Sequence, residues 1–430
     1  MIGTLAHAAP YVGYVYPNET DIPWGVLIVI YPYITGLVAG AFIVSSLYHV
    51  FGMAQFRPVA RFALLTAVSF MFFVPVPLLF HLGNPQRAFN AVLTPHWTSA
   101  MAAFSYVAGF YICLLLLEIW FAFRADIVAL SKTTSGLLRT VYRVITLGSD
   151  DVSPRSLAID HKFAFLLAMI GIPAAGGLHG YVGFLFGSVK AREWWSSDLM
   201  PVIFLLSAIV SGIGLLIVLY VAYSKFRKVQ VDDDCMKGLA RTMWAFLLVV
   251  LVMEVLELLE MFYKGLEGID MVRRLIQGPI WFSMLIQWGG SIGVLAILTA
   301  LIVFKTKGKS LVTWLTVSGL AMMVAVLAMR WNVVIGGQEL SKTMKGLLTY
   351  YPEVFGQDGL LVVAFIFTCP FIVLWLTTRL LSPWEPEGPT PPKTRQPEPR
   401  WPWTISPRVS KPPRNPPKTS RNPRSPRSRA

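Results

Sequence analysis

Apolar residues in this chain run in long blocks, not in the alternation of strands or the stripes of surface helices. Nine blocks stand out, at about 24–52, 58–82, 98–123, 160–186, 200–224, 240–263, 280–304, 310–335 and 359–381. Each reaches the roughly twenty residues that a helix needs to cross hydrocarbon. The pattern predicts nine transmembrane helices joined by short polar segments, such as KVQVDDDCMKG before the sixth and KTKGK before the eighth. One stretch breaks it. Residues 250–265 read VLVMEVLELLEMFYKG and place Glu254, Glu257 and Glu260 inside an apolar run.

Composition agrees with the blocks. Of 430 residues, 55% are hydrophobic and 14% charged, and the mean hydropathy is +0.59. A soluble domain needs more polar surface than that. The fold class is therefore an all-α polytopic membrane protein. The formal charge of +14 is concentrated at one end, because residues 383–430 hold eleven Lys/Arg against three Glu. That Pro-, Ser- and Arg-rich segment reads as a disordered, solvated basic cytoplasmic tail, with contact to anionic membrane lipid as the alternative and no nucleic acid as a partner. The expected organisation is an extracytoplasmic segment 1–23, a transmembrane domain 24–382 and the tail 383–430. Residues 1–23 show neither a basic n-region nor a continuous apolar core, so no cleavable leader is expected. Cys113, Cys235 and Cys369 lack metal-ligand spacing, so no iron–sulfur or zinc site is expected in this chain.

Lysine and arginine give the orientation. The loops after the first, third, fifth and seventh blocks, with the adjoining block ends, carry fifteen basic residues: Arg57, Arg61, Arg124, Lys132, Arg139, Arg143, Arg155, Lys225, Arg227, Lys228, Lys237, Arg241, Lys305, Lys307 and Lys309. The opposite loops carry eight: Arg87, Lys190, Arg192, Lys264, Arg273, Arg274, Lys342 and Lys345. The N-terminus is expected outside and the C-terminus inside a bacterial or archaeal cell membrane.

Orientation assigns each intramembrane polar residue a depth. Glu260 falls near the outer surface, with Glu257 and Glu254 one and two turns deeper. At the same level lie His81, His179 within GGLHGYVG, Gln287, Arg330 and Asn332 within MRWNVVIGGQ, and Trp24 at the start of the first helix. A thinner set lies toward the inside: His49, Glu118, and the trio Asp160, His161 and Lys162. An ionisable side chain in a span faces a partner or a wet cavity. Arg330 is expected to pair with one of the glutamates, and Glu260 has Lys264 one turn away.

A pocket lined by His, Glu, Arg and aromatics suits a quinone. The ring needs apolar walls, its oxygens need donors, and quinol oxidation needs proton acceptors. The expected quinone-binding residues are His81, His179, Trp24, Arg87, Gln287, Arg330 and Asn332. The expected proton-transfer residues are Glu254, Glu257, Glu260, Glu118, His49 and His161. Two alternatives stay open. Histidines paired at two depths suit a b-type dihaem cytochrome. Buried glutamates also suit an ion-coupled secondary transporter, although no internal repeat is visible.

Four stretches carry a family resemblance: IPWGVLIVIYPYITGLVAGAF at 22–42, FHLGNPQRAFNAVLTPHWTSAM at 80–101, GIPAAGGLHGYVGFLFGS at 171–188 and ELLEMFYKG at 257–265. They resemble the NrfD-like family, the polysulfide reductase membrane subunits, and within it the long-chain branch of hydrogenase- and Dsr-type subunits. The second stretch is similar to the family's D-x-G-R-P-x-R segment, with His81 in place of the Asp and Asn84 in place of the first Arg. The resemblance implies two four-helix bundles plus a peripheral helix. It also implies electron exchange between menaquinone or ubiquinone and an extracytoplasmic ferredoxin-like iron–sulfur subunit, with a further catalytic or cytochrome c subunit. Members are usually haem-free, so the resemblance argues against haem.

Overall fold

The structure is a computed structural model that describes residues 21–265 and 269–384. Nearly all of the expected N-terminal segment and of the basic tail lies outside the described residues. The chain forms α1 (Val26–His49), α2 (Arg57–Met71), α3 (Val76–His81), α4 (Asn90–Leu93), α5 (Ala100–Thr133), α6 (Gly136–Ile145), α7 (Pro154–Gly187) and α8 (Met200–Arg227). It continues with α9 (Asp233–Lys264), α10 (Ile269–Gln277), α11 (Trp281–Val303), α12 (Gly308–Trp331), α13 (Gly337–Glu339) and α14 (Leu360–Leu380). Among the described residues, eight helical stretches are long and apolar enough to cross a membrane. The expected sixth span, 240–263, is not among those eight. It folds within α9, which is 32 residues long and packs against α8, α11 and α12. The protein is a multi-pass helical membrane protein.

Three spans depart from their expected bounds for physical reasons. The second breaks between Met71 and Val76, where Pro75 and Pro77 interrupt the hydrogen-bond ladder. The third and fourth overshoot: α5 and α7 have 34 residues each. At about 1.5 Å per residue each is roughly 50 Å long, against about 30 Å of hydrocarbon. The apolar blocks stop at 123, just before Arg124, and resume at 160 with Asp160. These two charges instead satisfy each other, so both helices continue past them on the Lys/Arg-rich side.

Glycines set the central packing. Gly36 and Gly40 of α1 face Ala208 and Gly212 of α8, and a Cβ on Gly40 would stand 2.5 Å from the Gly212 Cα. Small residues four apart let two backbones approach this closely. On another face of α8, Gly214 meets Gly319 of α12 in the same way. Helix α1 also packs on α2 and α7, and α7 on α5, while α8, α9, α11 and α12 pack among themselves. Helix α14 lies against α2. Helix α1 is thus almost wholly buried, and α8 joins it to the helices that carry the polar site.

Candidate functional site

The polar site forms where α9, α11 and the end of α12 meet. Glu254 projects from α9 and is 5% exposed. Its Oε2 accepts a hydrogen bond from the Gln287 Nε2 of α11 at 2.9 Å. The Gln287 Oε1 accepts in turn from the Asn332 Nδ2 at 2.7 Å, and the Ser283 hydroxyl donates to the Asn332 Oδ1. Every donor in this chain of bonds points toward the carboxylate. The amides fix where Glu254 points but carry no charge themselves, so the carboxylate is the group that can take a proton.

Asn332 is placed by an unusual turn. Residues Asn332–Gly336 form a π-helical turn after α12, a geometry that disrupts the normal i→i−4 pairing and recurs at functional sites. Carbonyls there accept from side chains. The indole of Trp194 donates to the Asn332 carbonyl at 3.0 Å, and that of Trp195 to the Val333 carbonyl at 2.5 Å. Gln338 donates to the Val334 and Trp24 carbonyls, both at 2.9 Å, and accepts from the Trp24 amide at 3.0 Å. Trp195 is held between Trp24, stacked at 5.3 Å, and Phe186. Gly337 makes this possible, because a Cβ there would overlap the Trp195 Nε1. Gly337→Ala is expected to destabilise the protein by about 1–3 kcal/mol, the usual range for overpacking. An unchanged unfolding temperature of the purified chain would show that the indole can move aside.

Arg330 does not pair with a glutamate. The side chain is 1% exposed and turns to α8. There it donates to the Ser207 Oγ at 2.8 Å and the Phe204 carbonyl at 3.2 Å, with its guanidinium carbon 3.8 Å from the Phe204 ring centre. Its Nε has no hydrogen-bond partner among the described residues. Tyr33, His179 and Glu254 all lie within its electrostatic reach. His179 is buried on α7, and its Nε2 is unpartnered as well. The cation thus sits among α1, α7, α8 and α9 without forming an ion pair among the described residues.

A cavity of about 40 Å³ lies against the carboxylates, lined by Glu254, Glu257, Gln287, Asn332, Trp194, Trp288 and four methionines, Met200, Met261, Met284 and Met329. It has room for a few waters. Leu258 and Trp288 also line an adjoining apolar groove of about 430 Å³ with Val255, Leu259 and Phe262. Those three side chains are exposed and belong to the flank of α9 that faces away from the core.

The remaining expected residues fall elsewhere. Glu257 is half-buried at the cavity beside Ser197. Glu260 is exposed and bound to Lys264 at 2.5 Å, so it is a surface pair outside the cavity lining. His81 lies apart from the cavity lining, at the end of α3, with its Nδ1 3.3 Å from an Asp358 carboxylate oxygen. Arg87 is exposed on a short helical turn at Pro85–Phe89. Trp24 supports the π-turn and does not line the cavity. Of the thinner set, Glu118 is buried on α5, with Oε2 unpartnered among the described residues and Tyr111 nearby. His49 is half-buried beside Tyr48, and His161 is exposed. Sequence reasoning missed Trp194, Trp195, Ser283, Gln338 and Asp358. The adjacent tryptophans of REWWSS were the available signal, since two indoles in a short polar loop need a buried reason.

Comparisons with known proteins follow the same residues. The profile of the family described as "Polysulphide reductase, NrfD" matches residues 15–341. The chain is 34% identical over 318 residues to a selenate reductase subunit of Mesobacillus selenatarsenatis, covering 73% of each chain. It is 26% identical over 365 residues to an Hdr-like menaquinol oxidoreductase integral membrane subunit of Archaeoglobus fulgidus, covering 78% of this chain and 79% of that one. It is also 24% identical over 200 residues to protein NrfD of Escherichia coli, covering 45% and 58%. The match to the family profile spans well over half of the chain, and the helices that carry Glu254 and Gln287 lie within it: this protein belongs to the polysulphide reductase NrfD family.

Proposed function

We propose that the chain is the quinone-reactive membrane subunit of a respiratory redox complex, with its site at the Glu254–Gln287–Asn332 cavity. The observation that carries the reading is the junction of two surfaces. A directed hydrogen-bond chain ends on a buried carboxylate, and an apolar groove on the outer flank of α9 adjoins it. The residues fit a quinone: amides and a carboxylate for the ring oxygens, methionine and tryptophan walls for the ring, and the groove for an isoprenoid tail. A quinone bound there supplies the two-electron, two-proton chemistry. Gln287 holds one oxygen of Glu254, leaving the other to receive a proton. Glu257, one turn nearer the helix end, is placed to pass it toward the surface. The methionines are flexible side chains that re-pack readily, and their movement widens the small cavity.

Orientation by the Lys/Arg count puts this site near the outer leaflet, N-terminus outside and C-terminus in the cytoplasm. Electrons then leave to an extracytoplasmic iron–sulfur subunit and on to a catalytic or cytochrome c subunit. The relative named as a menaquinol oxidoreductase subunit supports a membrane quinol as donor, and the one named as a selenate reductase subunit supports electron flow toward a reductase. A quinoline N-oxide titrated onto the assembled complex tests the site. Gln287→Leu is expected to raise its Kd about tenfold, the loss of one hydrogen bond to a charged partner. Unchanged affinity would move the quinone away from this cavity.

A further inference from the structure

At the opposite end of α9 from the carboxylates, a second cleft of about 440 Å³ opens between α9, α11 and α12. Lys237, Arg241, Lys305 and Lys307 line it, against a single acid, Asp234. Lys237 is taken by Asp234 at 2.8 Å. Arg241, Lys305 and Lys307 form no ion pair among the described residues. The cations converge on one place: Lys237 first, through its hydrogen bond and its charge, and then Lys307 and Arg241 hold the exposed Asp234 carboxyl below its ordinary range. The floor is apolar, with Leu301 and Leu311 buried beneath the charges. Beside the cleft, the C-terminal end of α11 leaves Val303 and Phe304 exposed at 65% and 78%.

We propose that this cleft binds the phosphodiester headgroup of an anionic phospholipid in the leaflet on the Lys/Arg-rich side of the membrane. Four cations against one lining acid leave an excess of positive charge, reduced by Asp233, which accepts from the Gly308 amide beside Lys307, and that excess favours an anion. The exposed apolar residues next to it place those charges where hydrocarbon gives way to headgroups. Basic pockets between transmembrane helices at that level recognise phosphate headgroups. Acyl chains would then lie along the exposed apolar surface of α11 and α12, where Trp314 is half exposed. A free phosphate offers the same anion but makes no use of this apolar surface, so the lipid is the occupant that both features favour. The site is independent of the quinone cavity, and it lies on helices, not in the basic tail.

The full-length chain, purified into zwitterionic phosphatidylcholine nanodiscs doped with phosphatidylglycerol, is the test, with retained lipid counted by native mass spectrometry. The wild-type chain is expected to retain phosphatidylglycerol over phosphatidylcholine. A triple variant Arg241→Gln, Lys305→Gln, Lys307→Gln is expected to lower that retention at least about tenfold, since each cation near the lipid surface adds its own attraction for the headgroup. A control Lys264→Gln, Lys345→Gln on the opposite side is expected to leave it unchanged. Equal retention by the triple variant and the wild type would assign the lipid to the tail or the general annulus and overturn the proposal. Displacement of phosphatidylglycerol by millimolar inorganic phosphate would also overturn it, by making a soluble phosphate the ligand.

Discussion

Glu254→Gln is expected to lower quinol-dependent turnover of the assembled complex by about 10²-fold or more, the usual loss when a positioned proton acceptor is removed. The substitution is close to isosteric. The new amide oxygen still accepts from the Gln287 Nε2, which donates to Glu254 at 2.9 Å in the native chain, so the run of side-chain bonds through Asn332 stays in place. What disappears is the proposed proton acceptor. Fold is therefore expected to survive, and the unfolding temperature to hold or rise, because a buried carboxylate is costly to keep charged. The loss is expected in kcat and not in KM, since the amide can still line the ring. Glu260→Gln is the internal control. It removes only an exposed i,i+4 pair with Lys264. Such surface pairs contribute little, and turnover is expected to change less than about twofold. Full turnover in Glu254→Gln would make the carboxylate a structural group and pass the proton role to Glu257.

Depth along the helices was legible in the sequence; direction around them was not. The apolar blocks located the spans, and the basic loops gave an expected order for their ends, so Glu254, Gln287, Arg330 and Asn332 could be put at one level from the sequence alone. Which of them touch depends on helix rotation and on distant neighbours. Arg330 turns to Ser207 and Phe204 of α8, a helix that also packs against α12 about two to three turns away through Gly214 and Gly319. His81 meets Asp358, 277 positions later in the chain, a pairing no local spacing can announce. The π-turn at Asn332–Gly336 depends on Trp194 and Trp195 folding inward from the loop between α7 and α8. Local propensity says nothing of such a loop. The tandem glycines Gly336 and Gly337 in MRWNVVIGGQ were visible, but their reasons, the Ile280 side chain against Gly336 and the Trp195 indole against Gly337, were not. In α5 the sequence misled in the other direction: Arg124 looked like the end of a span and is instead its most heavily bonded side chain.

Arg124→Ala is expected to cost about 3–5 kcal/mol of stability, the largest single effect on the fold. The guanidinium is 1% exposed. Its Nε donates to both Asp160 oxygens at 2.9 and 2.8 Å, and its Nη2 donates to one of them at 2.7 Å. The Nη2 also reaches the Ser156 hydroxyl at 2.6 Å, while Nη1 donates to the Ser149 hydroxyl at 3.1 Å and the Asp151 carbonyl at 2.8 Å. One side chain thus joins α5, the 146–153 loop and α7. Truncation leaves Asp160 as a carboxylate that is only 11% exposed and has lost its charge partner, and it releases the loop from α5. Thermal unfolding of the purified chain should show the loss, and hydrogen exchange should rise first at 149–160. The double variant Arg124→Leu, Asp160→Leu separates two causes. If the cost comes from the stranded carboxylate, the second substitution restores most of the stability, since an apolar pair often replaces a buried ion pair without loss. If the cost comes from the untied loop, the double variant stays as unstable as Arg124→Ala, and the bonds to Ser149 and Asp151 are what hold the two helices in register.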